Sequence, residues 1–282
     1  MSPNHLTRLA FAVLAGLVML GCKPKSRITD KWAHPPQDTT TFVLRLKPAN
    51  TESGEAAPIT RADTLRAMES IDRRLQKMMG EYDLGLSAQD DGSIQLRMAS
   101  IDEKKIRLMR ELIARPGLLQ LHQVSQRSDE VGLDGRTLSE RVLAGDEILP
   151  GYRAYKHGYQ NADGQRVERA ILLHRRAALT GADVADAHVA PGQADAVAVT
   201  LSQDGAEKMI AFTSPMQPGI DRIAIVLDGE VVSAPVVNSV PLGRNFIVEG
   251  LRESGEPEQL AAQLMCPLEV PVEVEQIRSA QP

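Results

Sequence analysis

Several things are scarce in this 282-residue chain, and each shortage removes a class of function. It has only two cysteines, Cys22 and Cys266, so no disulfide framework holds it together and no CxxC pair offers a redox or zinc motif. Aromatic residues make up 3% of the chain, with a single Trp, and no run of Lys or Arg stands out. The charge balance is mildly acidic, at −5. This argues against nucleic-acid binding, which needs a basic surface and, for single strands, stacking platforms. After residue 25 no apolar run approaches the roughly 20 residues that span a bilayer. The six histidines (His5, His34, His122, His157, His174 and His188) show no HExxH or other close ligand spacing, and GxSxG, Walker A and GxGxxG are missing. The reading is a non-enzymatic protein without metal or cofactor.

What is there begins at the N-terminus. "MSPNHLTR" is short and polar, and "LAFAVLAGLVML" is apolar but short for a transmembrane helix. The segment ends in Gly21-Cys22. A small residue before such a Cys resembles a bacterial lipoprotein signal, in which the Cys becomes the acylated first residue. Residues 1–21 then read as a signal peptide, Cys22 as the lipidation site and polar, proline-bearing 22–39 as a tether. An ordinary cleaved signal peptide and an uncleaved anchor are the alternatives. Lys23 stands where an Asp would signal inner-membrane retention, which favours the outer membrane of a bacterial envelope, with the protein facing the periplasm or exterior. Cys266, in "LAAQLMCPLEV", reads as a small buried hydrophobe.

Residues 40–125 alternate between two periodicities. "TTFVLRLK" is a strand by its period of two. Thr60 and Asp63 form a capping box before a helix striped by Leu65, Met68, Ile71, Leu75, Met78 and Met79, with Gly80 as its stop. Two strands flank Asp91-Gly92. Ser100 and Glu103 cap a second helix carrying Ile106, Met109, Leu112 and Ile113, which Pro116-Gly117 ends. "LLQLHQV" is the next strand. The order β-α-β-β-α-β is the ferredoxin-like arrangement.

Residues 126–169 read as a connecting segment with a short helix near "RTLSERVLAG" and extended pieces around Asp163-Gly164. A second α+β unit spans 170–265: the strand "ADAVAVTL", a helix capped by Ser202 with Ala206, Met209 and Ile210 inward, a hairpin, the strand "NFIVEGL" and a helix with Pro257 in its first turn. In the hairpin "RIAIVLDGEVVSAPVV", both faces of the first run are apolar, as in a covered central strand. Asp228-Gly229 supplies the turn, and Pro235 ends regular pairing. Within 266–282, "LEVPVEVEQ" fits a strand returning to the first sheet, which makes the second unit an insertion. The fold class is α+β, a ferredoxin-like base with an inserted α+β head, expected to separate on proteolysis.

"LDGEVVSAPVV" is very similar to a hairpin in the periplasmic domain of the SecD family, accessory subunits of the bacterial protein-export translocase. "ALTGADVADAHV" resembles that family's "LTG.D" segment, and "VTLSQDGAEKM" its strand-then-helix segment with a Gly-Ala pair. "EILPGYRAY" and "EQLAAQLM" fall in the same order. The resemblance implies a base and a head, the head engaging unfolded polypeptide emerging from a translocon. Family members continue into transmembrane helices bearing a proton path. No such run follows here before Pro282, so no proton channel is expected.

The expected function is an envelope lipoprotein, held to the membrane by its lipid anchor. It would bind exported or unfolded polypeptide, or assist a Sec-type or other envelope complex. The alternative is a structural lipoprotein that keeps the fold without client binding. Polypeptide contact is expected at Val232, Val236 and Val237, with Asp228 and Gly229 as a structural turn.

Overall fold

Strict alternation makes β1 (Thr39–Leu46) a half-buried strand, with Phe42, Leu44 and Leu46 inward. In the computed structural model, which describes residues 38–48, 58–79, 84–160, 165–193, 195–249 and 257–279, α1 (Arg61–Met79) follows. Cys22, the signal segment, most of the tether, Gly80 and the Asp163-Gly164 turn lie outside the described residues. α1 opens at its capping box: Thr60 N donates to Asp63 Oδ2 (2.8 Å) and Asp63 N to Thr60 Oγ1 (3.2 Å). β2 (Leu84–Ala88) and β3 (Ile94–Ala99) flank the turn at Gly92. α2 (Glu103–Ala114) is capped by Asp102, which accepts from Lys105 N, and not by Ser100. A carboxylate closer to the helix is the stronger acceptor and suits the positive end of the helix dipole.

The base sheet has the order β13-β1-β3-β2, all antiparallel, with β13 (Val272–Ser279) beside β1. This is a ferredoxin-like sheet whose fourth strand returns from the far end of the chain. β4 (Leu119–Gln123), expected in that place, pairs instead with β10 (Ile223–Leu227) in a second sheet. Burial explains the exchange. Leu119 and Leu121 are buried on one face of β4 and His122 on the other, at 2% exposed. Such a strand needs cover on both sides, and the outer face of the base sheet does not supply it.

The head fills the interval. β5 (Tyr152–Gln160) and β6 (Arg166–His174) pair along nine residues each, so the head reaches back before 170. α3 (Leu138–Ala144) packs over them, opened by a capping box of Thr137 and Glu140. With β7 (Leu179–Thr180) and β11 (Glu230–Ser233) these strands form one sheet, ordered β6-β5-β11-β10-β4-β7. A bridge from Val124 to Leu173, with Ser125 N donating to Leu172 O (2.8 Å), draws β6 back to the end of β4. The sheet curls into a partly closed barrel filled by Val124, Ile171, Leu173, Ala224, Val226 and Val231. β8 (Val184–Val189), β9 (Val197–Leu201) and β12 (Asn245–Val248) make a third sheet, and α4 (Gln203–Thr213) and α5 (Pro257–Met265) are the head helices. On α4, Ala206 and Met209 are buried as expected, but Ile210 is exposed.

α5 belongs to both units. Leu260, Ala261 and Leu264 join the head cluster, while Ala262 joins the base cluster with Ile71 and Leu112. The base and head therefore share a helix across the boundary expected to separate them.

Candidate functional site

Two short motifs meet inside the head. Thr180 N donates to Asp183 Oδ2 (2.9 Å), Ser202 N to the Asp183 carbonyl (2.8 Å) and Lys208 Nζ to Asp183 Oδ1 (2.6 Å). A Cβ on Gly205 would lie 2.6 Å from that same carbonyl, so only glycine lets α4 approach. Asp183 is 5% exposed; burial pushes its pKa up, but Lys208 and the Thr180 amide more than offset this and leave it lowered. The "LTGAD" and "SQDGAEK" segments are thus a packing device, a carboxylate that ties β7, β8 and α4 together.

The hairpin is built from β10, buried at all five positions, and β11. Asp228 and Gly229 adopt φ of 52° and 87°, the two consecutive positive values of a tight hairpin turn. Asp228 does more than turn the chain. Its Oδ1 accepts from Leu118 N (2.7 Å) and its own N donates to Leu118 O (3.0 Å). Burial raises its pKa above the ordinary carboxylate value, against the opposing pull of the Leu118 and Gly117 amides and of Arg115 and Arg74. Oδ2 is shielded from solvent without a hydrogen-bond partner.

Leu118 leads to the junction of base and head. Arg74 of α1, 1% exposed, donates from Nε to Cys266 O (2.7 Å), from Nη1 to Leu112 O (2.8 Å) and Arg115 O (2.6 Å), and from Nη2 to Pro116 O (2.5 Å). Those carbonyls close the C-terminal ends of α2 and α5, where helices leave acceptors unpaired and partial negative charge accumulates. Burial lowers the Arg74 pKa to about 10, which keeps it charged at neutral pH. Gln259 and Gln263 of α5 donate to Leu108 O (2.8 Å) and Glu111 O (3.1 Å) on α2. Gly117 has φ 76°, and a Cβ there would lie 2.6 Å from Gln263 O. Cys266 is partly buried, and burial pushes its thiol pKa up, away from reactive thiolate.

The other end of the hairpin faces outward. The register slips between Ile225 and Val226, leaving Val232 as a bulge, packed against the head cluster. Pro235 keeps its acceptor role, taking a bond from Ile223 N (3.2 Å). Val237 is 5% exposed and cannot meet a partner, whereas Val236 is 41% exposed. Gly219 N bonds Val237 O and Val237 N bonds Asp221 O, both at 2.8 Å, which sets Ile220 (58% exposed) on the segment beside Val236. Sequence reading placed Val236 at this surface but missed Ile220. An isoleucine in a Pro- and Gly-bearing turn, "MQPGID", was the available signal. Among the described residues no group of three or more His, Cys, Asp or Glu could hold a metal, and no helix is long and apolar enough to cross a membrane.

Residues 156–267, which hold both motifs and the hairpin, match the family model of the SecDF P1 head subdomain. That region is a SecD-type head subdomain. It is 38% identical over 107 residues to the protein translocase subunit SecDF of Thermus thermophilus, covering 37% of this chain and 14% of that protein. It is 30% identical over 166 residues to the SecD subunit of Acidaminococcus fermentans, covering 56% of this chain and 39% of that one. The chain thus spans well under half the length of either translocase subunit. The fold agrees over more of it. A crystal structure of SecDF in a Super-membrane-facing form superposes on 86% of this chain and 30% of its own, at TM-score 0.59 and 22% identity. A second SecDF structure, of a membrane component that enhances protein export, superposes on 85% of this chain and 100% of its own, at TM-score 0.57 and 23% identity. The SecD-type head thus comes with its ferredoxin-like base.

Proposed function

We propose that this protein is a non-enzymatic factor of the bacterial envelope that captures exported or unfolded polypeptide and presents it to a Sec-type or other envelope complex. The observation that carries this reading is the SecDF P1 head match over residues 156–267, with Val236 and Ile220 of that head exposed at the end of the hairpin away from its turn. Exposed aliphatic side chains at the end of a rigid hairpin suit brief, sequence-tolerant contact with apolar segments. The test is capture of a permanently unfolded reporter polypeptide by the purified chain. Saturable binding that disappears when the reporter is folded supports the reading. No binding at any reporter concentration returns the protein to a structural role in which the fold is kept without clients.

The same proposal includes the anchor. Cys22 carries the lipid, the mature chain hangs on its tether, and Lys23 directs it to the outer membrane. Two or three acyl chains, unlike one, hold a protein stably on a bilayer. Cys22→Ser should abolish acyl labelling and either block processing or release the chain from membranes; unchanged labelling and fractionation would refute the anchor.

A further inference from the structure

The base carries a cleft that the head's function does not use. It lies between the first turns of α1 and the β2–β3 hairpin, encloses about 710 Å³ and is lined by Arg61, Thr64, Ser87, Gln89, Gln95 and Arg97 among others. Its size falls within the range of small-molecule sites. Two guanidiniums enter the wall and no carboxylate does. The acids lie next door, in an adjoining hollow of about 530 Å³ that adds Asp90 and Asp91. Asp91 is already engaged, accepting from Ser93 N (2.9 Å) and Ser93 Oγ (2.6 Å), with Arg45 Nη2 at 3.6 Å.

Arg97 is the unexplained group. It stands opposite Gly85 in the β2–β3 register, where the neighbour has no side chain to meet it. Its Nε is shielded from solvent yet has no hydrogen-bond partner. A buried N–H left unpaired is costly, and such groups are rare in folded proteins. Fork-shaped guanidinium donors match the two oxygens of a carboxylate or phosphate group. The Thr64 hydroxyl and Gln89 amide already donate to Thr60 O and Ser87 Oγ, which leaves Ser87 and Gln95 to add hydroxyl and amide donors. The start of α1 is not what makes the site, because the Thr60–Asp63 capping box already uses its amides.

We infer that the cleft between α1 and the β2–β3 hairpin binds a small oxyanion, a carboxylate- or phosphate-bearing molecule, through Arg97 and Arg61. The test uses the purified chain with citrate and inorganic phosphate as separate probes, against sodium chloride at matched ionic strength, read by calorimetry and by amide shifts of Gly85 and Gln95. The expected result is saturable binding of at least one probe that chloride does not reproduce. Whichever probe binds more tightly identifies carboxylate or phosphate as the preferred group. Arg97→Gln should weaken that binding about tenfold or more, as expected for one charged hydrogen bond, with Arg61→Gln as a second variant on an exposed residue that leaves the fold intact. Binding equal in both folded variants, or shifts that chloride reproduces, would overturn the inference, as would no saturation by either probe.

Discussion

The hairpin from Ile223 to Val237 has two ends in opposite surroundings. At the turn, Asp228 and Gly229 are tied through Leu118 to the buried junction where Arg74 gathers four backbone carbonyls from the ends of two helices. At the far end, Val236 and Ile220 meet solvent with 41% and 58% of their surface open. One ribbon therefore connects the part of the molecule that holds base to head with the part assigned here to clients. The difference teaches that "LDGEVVSAPVV" holds two environments: its first half is packed into the junction, and its second half leaves Val236 exposed, where client contact is proposed.

If the junction is what makes the turn end rigid, its hub should be the costliest residue to remove. Arg74→Met would strand buried carbonyls, and a loss of about 3–5 kcal/mol in urea unfolding is expected. Arg74→Lys should recover only part of it, since one ammonium cannot reproduce the fork. A loss below about 1 kcal/mol would mean that the carbonyls find other donors and the junction is not a lock.

Two glycines sharpen the contrast further. Gly117 and Gly229 both have positive φ, 76° and 87°, but a Cβ meets Gln263 O at 2.6 Å in the first and nothing within 4 Å in the second. Gly117→Ala should cost about 2–4 kcal/mol, from strain plus overpacking, and Gly229→Ala about 1–2 kcal/mol from strain alone. Equal losses would show that crowding at the junction contributes nothing.

Between the two ends, the barrel buries His122 and His157, the latter with Nδ1 3.3 Å from Val231 O. Burial lowers both pKa values, so the unfolded chain binds more protons once the pH drops below about 6.5. Stability should be fully present above that pH and fall as the pH descends through the folded values, seen as a declining melting temperature between pH 7 and 5. A flat profile would contradict neutral, buried imidazoles. The smallest effect is expected at Asp228. Asn keeps an acceptor for Leu118 N, tolerates the positive φ and removes a carboxylate that burial penalises. Asp228→Asn should change stability by less than about 1 kcal/mol, with gain more consistent than loss.

Much of this was legible in the chain. A period-two run gave β1, a run apolar on both faces gave β10, the Thr60–Asp63 box gave the start of α1, and "VEVEQ" gave the returning strand. The sheet that β4 joins was not legible, because pairing depends on cover from elements far along the chain. Nor was Arg74 recognised as buried, although its place three residues after Ile71 puts it on the apolar stripe of α1; helix periodicity names the face, not the carbonyls waiting there. The Thr137–Glu140 box stood in the sequence unused, and the second face of α5 was hidden by glutamines that look solvent-directed until α2 is in place. At the candidate site, turn chemistry was visible in Asp228-Gly229. The burial of Val237 was not, since it rests on the segment 219–221 folding back beside it.

The central claim is that the outward end of the hairpin touches clients while the turn end only holds it in place. Its most direct test is Val236→Asp, compared with wild type for capture of the unfolded reporter and for thermal melting. The account predicts strongly weakened capture at an unchanged melting temperature, because the side chain is exposed and supports no core. Undiminished capture by the folded variant would contradict it and assign the whole hairpin to scaffold.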